Sequence, residues 1–189
     1  RIILAEYPEA KLYVAGNSLV AYGTWKEKLK ISGYGRFLRE MLTGLGLEGR
    51  VCFLGKLDAG QMRDRYLKCG LFVCCSSVEN SPNSLGEAML LGVPCVSADV
   101  GGISSIFTGG VDGILYRGSD HGGASGGPGT EGAGELGAVS GRLAEAVLEM
   151  WRDSRKRDEY CRNARKHALK THDRDRNYQK LVEIYEEIL

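Results

Sequence analysis

Leu71-Phe-Val-Cys-Cys-Ser-Ser-Val-Glu-Asn-Ser-Pro-Asn-Ser-Leu-Gly-Glu-Ala-Met-Leu-Leu-Gly-Val-Pro-Cys-Val-Ser-Ala98 is the stretch on which the reading of this chain turns. Its apolar start, Leu71 to Cys75, has the length and composition of a buried strand. That strand delivers a carboxylate, Glu79, at its C-terminal end. A short polar loop then opens into a helix over about Ser84 to Leu91 that carries a second carboxylate, Glu87. Gly92-Val-Pro leads into the next apolar strand, Pro94 to Ala98. Open α/β sheets bind their ligands just beyond the C-terminal ends of such strands. The helix start, Asn83 to Leu85, offers backbone N–H groups and the positive end of a dipole, which suits a phosphate.

Each carboxylate also has a purely structural reading. Ser84-Leu-Gly-Glu87 fits a capping box, in which Ser84 caps the helix and Glu87 reaches back to the Ser84 N–H. Glu79, in a polar loop, can equally be a solvated surface acid.

Working outward, strand and helix signals alternate. Ile2 to Ala5 reads as a last helical turn running to Pro8, and Lys11 to Gly16 as a strand ending in a Gly loop. Phe37, Leu38, Met41, Leu42 and Leu45 fall at helical spacing within Tyr34 to Leu45. A strand at Arg50 to Gly55, a helix over about Gln61 to Lys68 and a short strand at Gly113 to Tyr116 complete the sheet. Apolar strands separated by amphipathic helices predict an α/β fold, a parallel sheet covered on both faces. Residues 118 to 134 break the pattern, with eight glycines in seventeen positions. Such a run buries too little surface to offset its ordering entropy and predicts a mobile Gly-rich loop, with His121 inside it. Three helices should follow, over Gly137 to Arg152, Arg155 to Lys170 and Arg174 to Ile188. In the last, Tyr178, Leu181, Val182, Tyr185 and Ile188 form a stripe suited to packing.

The 189 residues suffice for one good core. Lys plus Arg number 25 against 24 Asp plus Glu, so no global charge draws the chain to nucleic acid or an anionic membrane. No stretch approaches the ~20 apolar residues of a membrane span, and a soluble, cytoplasmic protein is expected. Cys52, Cys69, Cys74, Cys75, Cys95 and Cys161 include no Cys-x2-Cys pair, and only His121, His167 and His172 could join them. Buried free thiols are the expected state.

Glu79-x7-Glu87 followed by Ala-Met-Leu-Leu-Gly-Val-Pro and then by Asp99-Val-Gly-Gly102 resembles the donor-binding domain of family 4 retaining glycosyltransferases, over about residues 1 to 170. The resemblance implies one Rossmann-like half of a two-domain GT-B fold, with C-terminal helices. It implies that Glu79 approaches a donor hexose, and that Glu87 bonds the ribose hydroxyls of a nucleoside diphosphate sugar. Groups around Ser81, Asn83, Ser84 and Leu85 would hold hexose and diphosphate; Pro82 has no N–H to offer. The base would lie against Gly55, Lys56 and Leu57, with Gly16 and Asn17 lining the cleft. Lys56 reads equally as a solvated surface lysine. Retention without a metal or other cofactor is implied, and no Asp-x-Asp pair is evident. Ser104-Ser105 stands where the family commonly shows an acid.

Such a domain ordinarily opens with a central strand and a segment bearing an Arg and a Lys that neutralise the diphosphate. Here the chain is expected to begin within the following helix, as a fragment without its acceptor-binding N-terminal domain. That missing domain would take an acceptor sugar or lipid, and the full-length protein is expected in the cytoplasm or peripherally at the membrane. The fragment alone should be inactive, with uncovered edges that favour self-association. A non-catalytic nucleotide-binding or regulatory module, and a nucleotide-sugar epimerase of GT-B shape, are the competing readings.

Overall fold

The computed structural model describes residues 1–16, 33–118 and 131–188, with side chains of the last segment from residue 137 onward. Asn17, His121 and most of the Gly-rich run lie outside the described residues. The chain forms two compact units, Arg1–Asp64 and Arg65–Leu189.

In the first unit, helix α1 (Ile2–Glu6) precedes strand β1 (Leu12–Ala15), helix α2 (Gly33–Gly44) and strand β2 (Val51–Gly55). The two strands pair in parallel, Leu12 opposite Val51 and Val14 opposite Phe53. The register slips after Val14, so that Ala15 meets Gly55. Helix α3 (Ala59–Lys68) begins in this unit behind a reciprocal cap. Asp58 Oδ1 accepts from Gln61 N at 2.8 Å and Gln61 Oε1 accepts from Asp58 N at 3.0 Å, which satisfies two N–H groups that the first turn leaves without partners.

The second unit is built on three parallel strands, β3 (Phe72–Cys74), β4 (Cys95–Asp99) and β5 (Ile114–Arg117), in the order β3-β4-β5. Phe72 pairs with Cys95, and Asp99 with Arg117. As the middle strand, β4 is covered on both faces, and Cys95 through Ala98 are buried; this is why the segment is apolar without alternation. The parallel sheet of the sequence reading is thus present as two separate ladders, β1–β2 and β3–β4–β5.

Helix α4 (Asn83–Leu90) connects β3 to β4, and its exit explains Leu91-Gly-Val-Pro94. Gly92 takes a φ of 70°, its N–H donates to Met89 O at 3.0 Å, and Val93 N donates to Ala88 O at 3.0 Å. This crossed pair stops a helix where a residue without a Cβ can enter the left-handed region. Pro94 then cannot continue the helix and starts the strand. Helix α5 (Glu131–Arg152) packs on β4 and β5, and Ala146 and Met150 join Val96, Ala98, Tyr116 and Tyr160 in a core cluster. Its first four residues belong to the run predicted as loop. Once a helix is nucleated, each added residue gains a hydrogen bond, so an established helix can carry a Gly-rich first turn.

Helix α6 (Ser154–Thr171) starts at Asp153, whose Oδ1 accepts from Lys156 N at 3.0 Å, and packs on α4. It also carries His167, whose Nδ1 lies 2.6 Å from Oδ2 of buried Asp112; that oxygen accepts from Thr108 N at 2.8 Å. Helix α7 (Arg174–Ile188) buries no residue, and Tyr178, Leu181, Val182, Tyr185 and Ile188 are all exposed. The six cysteines are free; Cys74 and Cys95 are buried, whereas Cys75 is exposed where a buried thiol was expected.

Candidate functional site

The loop between β3 and α4 carries Glu79 and is seated on the turn that follows β4. Residues Gly101–Ser105 form one turn of 3-10 helix there, with Ile103 fully buried beneath it. Gly102 N donates to Glu79 O at 3.0 Å. A Cβ on Gly101 would run into the Glu79 carbonyl oxygen, and one on Gly102 into that of Asn80. The Gly-Gly pair is therefore the surface on which the Glu79 backbone rests. The side chain of Glu79 is half-buried, and its Oε1 accepts from Ser76 Oγ at 2.8 Å. The acid is thus oriented from both its backbone and its carboxylate.

Helix α4 begins at Asn83 with Pro82 as N-cap residue, and no side chain caps it. Pro82 O accepts from Leu85 N at 3.1 Å. Ser81 and Asn83 are exposed, Ser84 is half-buried, and Leu85 is fully buried. The capping box read from Ser84 and Glu87 is not made. With the helix starting at Asn83, these residues occupy its second and fifth positions, where the reciprocal geometry of N-cap and third residue is out of reach. The first turn of the helix carries no acidic residue of its own to offset the positive end of its dipole.

Glu87 is exposed, but one of its oxygens is held from below. Tyr66, on α3 and 3% exposed, places its hydroxyl 3.0 Å from Ser84 O and 3.3 Å from Glu87 Oε2. Its ring meets Phe72 edge-on, with centroids 5.6 Å apart. Burial, and then the Glu87 charge, push the phenol well above its ordinary value, so the hydroxyl stays a donor. One residue away, the His172 ring occupies the space a Cβ on Gly86 would need. Its Nδ1 lies 2.9 Å from Thr171 Oγ1, so the end of α6 presses on α4 between Leu85 and Glu87.

Glu79 and Ser81 lie on the loop that follows β3, and Asn83, Ser84, Leu85 and Glu87 on α4, with Leu85 fully buried rather than open to a ligand. Gly16, Gly55, Lys56 and Leu57 belong to the first unit. There Gly16 N donates to Gly55 O at 2.8 Å, Lys56 is exposed and Leu57 is half-buried. The sequence reading missed Tyr66, the seat formed by Gly101 and Gly102, and the His172 contact. Their only local signals are a Tyr four residues after Met62 on one helix face and a Gly-Gly pair. A cavity of about 790 Å³ lies elsewhere, along β5 and α5. Arg142 crosses it to donate to Arg117 O and Gly118 O, and Lys156 pairs with Glu149 at 2.7 Å.

The β3–α4 segment therefore carries an acid seated beyond a strand end, a helix start that no side chain caps and a second acid on that helix. Residues 1–125 match the family described as Glycosyl transferases group 1. The chain belongs to that family. HepE of Anabaena, solved in complex with UDP, superposes on this group 1 domain with a TM-score of 0.71 at 24% identity, over 98% of this chain and 44% of that one. Sucrose-phosphate synthase of Thermosynechococcus elongatus gives a TM-score of 0.72 at 18% identity, over 98% and 40%. The C-terminal domain of LpcC, a group 1 family protein of Francisella tularensis, gives 0.65 at 18%, over 90% and 73%. A segment of 53 residues is 43% identical to TuaC of Bacillus subtilis, a protein assigned to teichuronic acid biosynthesis, over 28% of this chain and 14% of that one. The chain therefore spans less than half the length of HepE, and its fold is the Rossmann-like α/β type of the GT-B glycosyltransferases. Among the described residues of this group 1 domain, no helix is long and apolar enough to cross a membrane.

Proposed function

We propose that this group 1 domain is the donor-nucleotide half of a family 4, retaining GT-B glycosyltransferase that takes a hexose from a UDP-sugar. The carrying observation is the seating of Glu79 on Gly101 and Gly102, beside a helix that no side chain caps. Cleaving the sugar–phosphate bond leaves positive charge on the anomeric carbon and negative charge on the departing diphosphate. Preorganised dipoles stabilise charge most where water is excluded and nothing has to reorganise. In this reading the N–H groups of Asn83 and Ser84 and the α4 dipole receive the diphosphate, with Ser81 on the hexose side; Leu85, fully buried and with its N–H bonded to Pro82 O, makes no contact with the donor. Glu79 orients the hexose and balances the charge developing at its anomeric carbon. Glu87 accepts from the ribose hydroxyls. The UDP bound by HepE supports uracil as the base. Transfer proceeds without a metal or other cofactor, in the cytoplasm, to an acceptor sugar or lipid held by a further domain.

Incubating the intact protein with a panel of nucleoside diphosphate hexoses, and following released diphosphate and the anomeric form of the sugar, tests this reading. A UDP-hexose is expected to be hydrolysed slowly with retention, and Glu79→Gln to slow the release at least tenfold while leaving UDP affinity near normal. Inversion, or full activity of Glu79→Gln, would remove Glu79 from the assigned role.

A further inference from the structure

Glu87 stands on the exposed face of α4, where a glutamate ordinarily samples many rotamers, and fixing such a side chain on binding has an entropic cost. Here one of its two oxygens already has a partner. The Tyr66 hydroxyl lies 3.3 Å from Oε2, whereas Oε1 has no protein partner among the described residues. We infer that Tyr66 is a positioning residue, which anchors Glu87 through Oε2 so that the carboxylate is preset to accept from both hydroxyls of a vicinal diol. The inference rests on the proposal that Glu87 receives the ribose.

Three features make the anchor firm. Tyr66 is almost wholly buried, and its ring is braced edge-on by Phe72 at the start of β3. Its hydroxyl also reaches Ser84 O at 3.0 Å, so the same atom is referenced to the helix backbone that would receive the diphosphate. Burial and the neighbouring carboxylate keep the phenol protonated throughout the working pH range. The hydroxyl has one proton for two acceptors. The shorter contact is to the Ser84 carbonyl and the longer to Glu87, so the proton is shared unequally. Glu87 retains lone pairs on both oxygens for a ligand. Order present before binding need not be created during it, and this lowers the entropic cost of recognition.

The test uses the intact protein with UDP and 2′,3′-dideoxy-UDP as probes, and the ratio of the two affinities by calorimetry as the readout. Wild type should prefer UDP, and Glu87→Gln should collapse that preference. Tyr66→Phe keeps the ring and its contact with Phe72. It should weaken UDP by about fivefold to tenfold, within the worth of one hydrogen bond to a charged group, with dideoxy-UDP unchanged. The double variant should be no worse than Glu87→Gln alone, because the two residues act as one unit. If Glu87→Gln keeps the preference, the ribose assignment itself fails. If Glu87→Gln loses it and Tyr66→Phe keeps it, only the positioning role fails. An equal weakening of both nucleotides by Tyr66→Phe would show that the hydroxyl merely supports the α4 backbone through Ser84, and would also overturn the inference.

Discussion

Replacing Gly102 by alanine is the sharpest mechanical test of how Glu79 is held. The new methyl group would collide with the Asn80 carbonyl oxygen, a backbone atom that cannot swing aside like a side-chain end. One of the two sides must move, and burial decides which. The turn beneath is pinned by Ile103 and Phe107, both fully buried, and is tied by Ser105 Oγ donating to Gly102 O at 2.6 Å. Opposite it, Asn80 is exposed and Glu79 only half-buried. The Glu79 loop should therefore give way, and the hydrogen bond from Gly102 N to Glu79 O should lengthen or break. Its loss costs about 1 kcal/mol, and the residual crowding about as much again. Stability should fall by roughly 2 kcal/mol in urea titrations. The effect on turnover should be larger, because displacing a reacting group by about 1 Å can cost about a hundredfold. UDP affinity, read on the same samples, should hardly change, since Tyr66 and Glu87 do not touch this seat. Wild-type turnover in Gly102→Ala, with an unchanged unfolding midpoint, would refute the claim that this pair positions Glu79.

Two further outcomes follow from the core of the second unit. Asp112→Ala removes the acceptor of both Thr108 N and His167 Nδ1 from a site 2% exposed; both donors reach solvent in part, so losing the two bonds and the buried side chain should cost about 1–2 kcal/mol, seen as a lower urea midpoint with UDP affinity retained by the folded fraction. Tyr116 is buried, and its phenol is pushed up to about 12 by burial and then by the neighbouring Cys75 and Cys74 thiols. A value raised above that of the unfolded chain gives stability that is complete below pH 10 and is lost as pH rises through 12. The wild-type melting temperature should therefore drop across that window, and less so in Tyr116→Phe.

Much of this architecture is written in short-range pattern. The apolar runs at 71–75 and 94–98 have no alternation because β3 and β4 lie within a parallel sheet. Leu91-Gly-Val-Pro94 ends one helix and begins one strand through a left-handed glycine whose role is local. What escaped reading depends on partners distant in sequence. Tyr66 meets Glu87 across 21 residues, and Asp112 meets His167 across 55. No window of ten or fifteen residues contains either pair. Gly101-Gly102 is visible as a pair, but its purpose appears only when another backbone comes to rest on it. The capping box at Ser84 is a plausible local match that fails by two residues of register. The same motif is made instead by Asp58 and Gln61, where Ala59-Gly60 hid the helix start.

The most direct measurement of the donor-site account is the affinity of the intact protein for UDP with and without the Glu87 carboxylate, taken together with the melting temperature. Glu87 is exposed and caps nothing, so Glu87→Ala should leave the melting temperature near that of wild type. Losing a charged acceptor for the ribose should weaken UDP by about tenfold or more. Unchanged UDP affinity in Glu87→Ala would contradict the account.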